Sequence, residues 1–139
     1  MDLATLMFIG YRAMDDRVVS EMRAAGYEVT VAQARIAQRI PPGGLRLTDL
    51  AAQAQVTKQT ASLLVASLEE QGWLERVPDP EDGRARLIRF TERGLAAARH
   101  AGTVVQRVEQ TWVDHLGPEL AASLREALER LREIADPYR

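Results

Sequence analysis

The residues of this chain best suited to chemistry are suited to binding rather than reaction. Lys58, Gln59, Thr60, Ser62 and Leu63 follow Thr57 closely and combine one cation with short hydrogen-bonding side chains and an apolar tip. Arg84 and Arg86 come later, just beyond an Asp82-Gly83 pair. Side chains of the first kind match the donors, acceptors and methyl groups on base edges in a major groove. Guanidiniums on an extended loop suit phosphates and the strongly negative minor groove. Double-stranded DNA is therefore the partner to which these residues point. Lys58 is also the only lysine in the chain. In the first turn of a helix it opposes the helix dipole, a locally unfavourable placement that points to a phosphate or base contact, the alternative being an ordinary exposed lysine.

Nothing comparable points to catalysis. The chain has no cysteine, which excludes a disulfide framework, a thiol switch and a thiolate metal ligand. His100 and His115 lack the i, i+4 histidine partner of a zincin site, and adjacent Asp114 and His115 do not face each other on a helix. No Gly-rich phosphate loop or nucleophile elbow is present, so no enzyme, metal or cofactor is expected.

The elements that must position the binding residues can be read around them. Thr48 and Thr57 are expected N-caps of two helices, the first running to about Gln55 and the second from Lys58 to Gln71, with Gly72 closing it. Ala61, Leu64, Val65 and Leu68 recur at helical spacing and predict a buried face, which puts Gln59, Ser62, Leu63 and Ala66 opposite it. A short helix, a tight turn and a second helix make a helix-turn-helix. Trp73–Val77 and Arg86–Phe90 then read as strands of a hairpin with a long tip containing Pro78, Pro80 and Asp82-Gly83, Ile88 and Phe90 pointing inward and Arg89 outward. Leu45 to Leu47 is a candidate third strand.

At these residues the chain resembles the winged helix-turn-helix of the MarR family of bacterial transcriptional regulators. Leu50-Ala51, Thr57, Leu68-Glu69, Gly72, Leu74-Glu75-Arg76, Asp82-x-Arg84 and Phe90-Thr91-x-x-Gly94 carry the resemblance in order. Leu63 departs from it, since an arginine or other polar residue is common there. The resemblance implies that Lys58 to Ser62 face the major groove, that Arg84 reaches the minor groove, and that Asp82 in the wing supports it, beside Gly83. It also implies a homodimeric regulator on a pseudo-palindromic operator, a repressor by expectation, released by a small aromatic or anionic effector between the dimerisation helices and the DNA-binding lobes. Tyr11, Arg12 and Tyr27, facing Leu95 to Arg99, are the expected effector wall. An alternative from another class is a winged helix that binds protein, its arginines gripping an acidic partner.

Outside the lobe, apolar spacing predicts a first helix over Leu3–Ala25 stopped by Gly26, and Thr30 with Gln33 forms a capping-box pattern that opens a second, ending before Pro41-Pro42. A long helix is expected over Glu92–Leu116, with Leu95, Ala98, Val105, Val108, Trp112 and Leu116 on its apolar side. After Gly117-Pro118 a last helix over Glu119–Ala135 carries Leu120, Leu124, Leu128, Leu131 and Ile134. The fold expected is mainly α with a small β-hairpin, one domain over 1–139, in which 29–99 is the DNA-binding lobe and 1–28 with 100–139 are dimerisation helices.

The net charge of −2 looks wrong for a DNA binder until it is divided. Val29 to Arg99 holds 10 lysines and arginines against 8 acidic residues, and the remainder holds 8 against 12. The positive charge lies where the DNA would. No run reaches the ~18 apolar residues of a membrane span, and Asp2 in place of basic residues makes the N-terminus a poor signal peptide. A cytoplasmic protein without membrane contact is expected.

Overall fold

The computed structural model describes residues 1–138. The elements follow the order α1 (Leu3–Ala24), α2 (Val31–Ala37), α3 (Leu47–Gln53), α4 (Lys58–Glu70), β1 (Leu74–Asp79), β2 (Asp82–Phe90), α5 (Glu92–Leu116) and α6 (Pro118–Ala135). Most helix starts are set by a side-chain oxygen. Asp2 accepts from the Thr5 amide at 2.8 Å, Thr57 from Thr60 at 3.0 Å and Thr91 from Gly94 at 3.0 Å. Thr30 and Gln33 form the reciprocal capping box expected of them. Ends are set by glycines at positive φ after α1, α4 and α5, namely Gly26, Gly72 and Gly117.

The turn between α3 and α4 uses no glycine. Gln55 takes φ 56° there, its side chain donating to the Ala52 carbonyl at 3.0 Å, and the amides of Gln55 and Val56 return to the carbonyls of Ala52 and Ala51. This is a Schellman ending with a left-handed glutamine, so the predicted helix stops at Gln53. Its start also differs from expectation. Arg46 holds the N-cap place without a side-chain hydrogen bond, and Thr48 lies inside the first turn. The reason is that Leu45 is pinned to Ile88 in an isolated bridge, so the chain can turn helical directly after it.

The hairpin is tighter at its tip than predicted. The strands pair from Leu74↔Phe90 to Pro78↔Arg86, and the register then jumps to Asp79↔Asp82, leaving Gly83, Arg84 and Ala85 as a bulge and Pro80-Glu81 as the turn. Pro78 is tolerated inside β1 because β1 is an edge strand and can spare an outward N–H. Asp82-Gly83 therefore begins β2 and is not the turn itself.

The core joins α2, α3, α4 and the hairpin through Ile36, Leu50, Val65, Leu68 and Ile88. On α5 the buried stripe is Gly94, Ala97 and Val104, not the Leu95 and Ala98 expected, which are exposed. Backbone proximity decides this. A Cβ on Gly94 would stand 2.0 Å from the Trp73 carbonyl oxygen, so only the small-residue face of α5 can approach the hairpin. α5 then extends to pack on α1 and α6, and α6 buries none of its residues. No helix among the described residues is long and apolar enough to cross a membrane.

Candidate nucleic-acid interface

α4 is held from three sides. Ala61, Val65 and Leu68 are buried, and Gln33 of α2 donates to Ser67 Oγ at 2.8 Å, which in turn donates to the Leu64 carbonyl at 2.8 Å. Near its C-terminus Glu69 accepts from Arg76 of β1 at 2.7 Å. The opposite face is free. Thr57, Lys58, Gln59, Thr60 and Ala66 are exposed, Ser62 is half-buried, and Leu63 leaves 68% of its surface uncovered. A leucine so placed costs apolar exposure that a thymine methyl would relieve. The two threonine hydroxyls bond each other at 2.9 Å, which fixes the first turn of α4.

In the wing, Arg84 and Arg86 are exposed. Lys58, Arg84 and Arg86 form no ion pair with any described residue, whereas Arg46, Arg76 and Arg89 of the same lobe are each bound to a carboxylate. Asp82 supports Arg84 through the backbone: its Oδ1 accepts the Arg84 amide at 3.1 Å. Gly83 is exposed with nothing near its absent Cβ. At the turn, Arg46 donates to Asp79 Oδ2 from Nε at 2.9 Å and from Nη2 at 2.6 Å, and Asp79 Oδ1 accepts the Glu81 amide at 2.9 Å. These bonds, the amide of Glu81 foremost and then Arg46, hold the Asp79 carboxyl below the usual carboxylate range. Neither Arg46 nor Asp79 stood out in the sequence, because 33 residues separate them.

The expected effector wall is divided. Tyr11 sits 5.3 Å beneath the Arg35 guanidinium, which binds the buried Asp15 at 2.9 Å. Burial and then Asp15 raise the Tyr11 phenol above its ordinary range. Arg12 is exposed. Tyr27 lies instead edge-on to Trp73, with ring centroids 6.0 Å apart, and 5.4 Å from the His100 ring. Within a protomer Tyr11 and Tyr27 thus rest against different neighbours, Arg35 for the one and Trp73 with His100 for the other. Leu95 and Arg99 are exposed, and α5 meets Tyr27 through His100.

A short helix, a left-handed turn, a second helix with an open polar face and a hairpin with unpaired arginines define a winged helix-turn-helix protein. A model of the MarR family matches residues 27–85. An HTH-type transcriptional regulator of Mycobacterium tuberculosis is 32% identical over 87 residues, 63% of this chain and 56% of that protein. The regulator BilQ of Clostridioides difficile is 23% identical over 91 residues, 65% of this chain and 59% of that protein. The chain thus spans little more than half the length of these curated relatives. Among solved structures, MarR of E. coli in its apo form superposes with a TM-score of 0.76 at 23% identity, covering 94% of this chain and 97% of that one. A transcriptional regulator of Thermotoga maritima gives a TM-score of 0.66 at 27% identity, covering 94% and 91%. PcaV of Streptomyces coelicolor, solved with its natural ligand, gives 0.66 at 25%, covering 96% and 91%. The sequence match to the MarR family lies within residues 27–85, and the fold over nearly the whole chain is that of solved MarR-type structures.

Proposed function

We propose that this protein is a DNA-binding transcriptional regulator that occupies a pseudo-palindromic operator as a homodimer and acts as a repressor. The observation that carries the reading is the pairing pattern of the cations. Lys58, Arg84 and Arg86, the three on the groove-facing surfaces, are all left without a carboxylate, as are Arg93 and Arg99 on α5, whereas Arg46, Arg76 and Arg89 are paired, and a free guanidinium or ammonium is what phosphate and groove contacts require. In this reading 29–99 is the DNA-binding lobe, while 1–28 and 100–139 form the dimer. Support for the dimer comes from α6, where Leu120, Leu124, Leu128 and Ile134 are exposed, and from a groove of about 580 Å³ between α5 and α6 lined by Trp112, Leu116, Leu124 and Leu128. A winged helix reading a twofold site needs two copies, and an isologous apolar contact supplies them.

The test is titration of the protein onto DNA flanking its own gene at several salt concentrations. Sequence-dependent binding with a negative salt slope is expected. Salt-sensitive binding to acidic proteins but to no DNA would overturn the reading. Effector release belongs to the same proposal: a molecule that binds one lobe spacing better than the other shifts the population away from the DNA-competent one. A panel of phenolic acids, scored by loss of the DNA complex, checks it.

A further inference from the structure

Arg46 is an unusual residue for a helix N-cap. A cation there meets the positive end of the α3 dipole, and it supplies no acceptor for the free amides. Its guanidinium turns instead to the hairpin tip, forking onto Asp79 at 2.9 and 2.6 Å and approaching Asp82 Oδ2 at 3.7 Å. The backbone shows how far this reach extends. Leu45 exchanges both its hydrogen bonds with Ile88 on the edge of β2 that faces away from β1, whereas Asp79 ends β1. The Arg46 side chain therefore crosses β2 from one edge of the sheet to the other. Gly44 makes the approach feasible: at φ +86° its absent Cβ would lie 3.0 Å from the Ile88 carbonyl oxygen. Asp79 and Asp82 flank the Pro80-Glu81 turn as register partners, and the bulge carrying Arg84 hangs from them through the Arg84 amide. Asp79 is 8% exposed, so its charge is not idle surface.

We propose that Arg46 is a positioning residue for the wing, bridging Asp79 and Asp82 so that the Arg84 bulge stands at a fixed place relative to α4. The lever is short, since α3, whose N-cap is Arg46, packs directly on α4. An untethered tip would have to be ordered on binding, and that ordering subtracts from affinity. The inference rests on the DNA-binding reading above.

Two substitutions separate positioning from direct contact. Asp79→Asn removes a negative charge and leaves every cation in place, so a phosphate-contacting Arg46 released from Asp79 would bind DNA as well or better. As the anchor of a positioned wing, Asp79 is instead needed, and the variant should bind operator about tenfold more weakly. Arg46→Lys keeps the charge but loses the fork, and should weaken binding to a similar degree. In an Arg84→Ala background neither substitution should weaken binding further. Wild-type affinity in Asp79→Asn or Arg46→Lys, losses that multiply with Arg84→Ala, or an Arg84→Ala chain that binds like its parent would each overturn the proposal. Hydrogen exchange on the DNA-free protein gives a second readout. Amides from 79 to 86 should exchange faster in both variants while those of α4 do not, and unchanged exchange at the tip overturns the clamp whether or not DNA is bound. A wild-type chain that binds no DNA counts against the proposed function, and the exchange result still decides the clamp.

Discussion

The Thr91 hydroxyl donates to the Gly72 carbonyl at 2.6 Å while accepting the Gly94 amide at 3.0 Å. Gly72 follows the end of α4, and Thr91 caps the start of α5. One side chain thus ties the end of α4 to the start of α5, the long helix that packs on α1 and α6. The Thr91 amide adds a bond to the Trp73 carbonyl at 3.0 Å.

Replacing Thr91 by Val keeps the shape but removes both the N-cap acceptor and the donor to Gly72. The expected loss is about 1–2 kcal/mol of stability, the usual value of a helix cap, with Thr91→Ser close to wild type. Chemical denaturation of the three proteins checks it. A valine variant as stable as the parent would mean that solvent replaces both bonds.

Gly94 is a stricter case. An alanine methyl there would meet the Trp73 carbonyl oxygen at 2.0 Å, a backbone atom that cannot step aside cheaply. Gly94→Ala should destabilise by about 2–4 kcal/mol as α5 is pushed off the hairpin. Calorimetry measures it, and a small gain from improved helix propensity is the result that would contradict the packing described.

Local chemistry explains why much of this was readable in the sequence. Thr30, Thr57 and Thr91 announce helix starts, and Gly26, Gly72 and Gly117 announce ends, because each acts on residues within a turn of itself. What escaped was set over distance. The side of α5 that is buried depends on a carbonyl 21 positions earlier, at Trp73. The hairpin tip looked long because prolines signal loops, yet an edge strand accepts one. The Arg46–Asp79 fork has no local signature at all, and the neighbours of Tyr11 and Tyr27, Arg35 for the one and Trp73 for the other, are likewise set by tertiary packing.

In the wing, Arg84 is exposed and unpaired, held by its amide alone. Arg84→Ala should cost about 1–3 kcal/mol of operator affinity and reduce the salt slope by roughly one charge. Affinity and slope both unchanged in the folded variant would remove Arg84 from the interface.

On the recognition helix, Gln59 is exposed beside Leu63 and half-buried Ser62. An amide can bond two atoms of an adenine edge, so Gln59→Ala should alter which sequences are selected rather than lower all affinities equally. Selection from a randomised operator pool checks this. Identical preferences would make Gln59 a phosphate contact or a bystander.

The dimer can be tested without DNA. α6 has no buried residue, and its leucines line an open groove with Trp112 and Leu116 of α5. On α1 the first apolar residues, Leu3, Leu6 and Phe8, are exposed as well. So much apolar surface on the two terminal helices, both packed on α5, is more than a small monomer leaves uncovered, and a second copy of the same helices would bury it. Leu128→Glu places a charge in the middle of the α6 stripe without touching the DNA-binding lobe. Sedimentation should show a wild-type dimer and a variant shifted to monomer, with operator affinity falling because two half-sites are no longer engaged by one particle. Far-ultraviolet circular dichroism must show the helices intact in both. A variant that remains dimeric at the same concentration would place the contact between copies on another face.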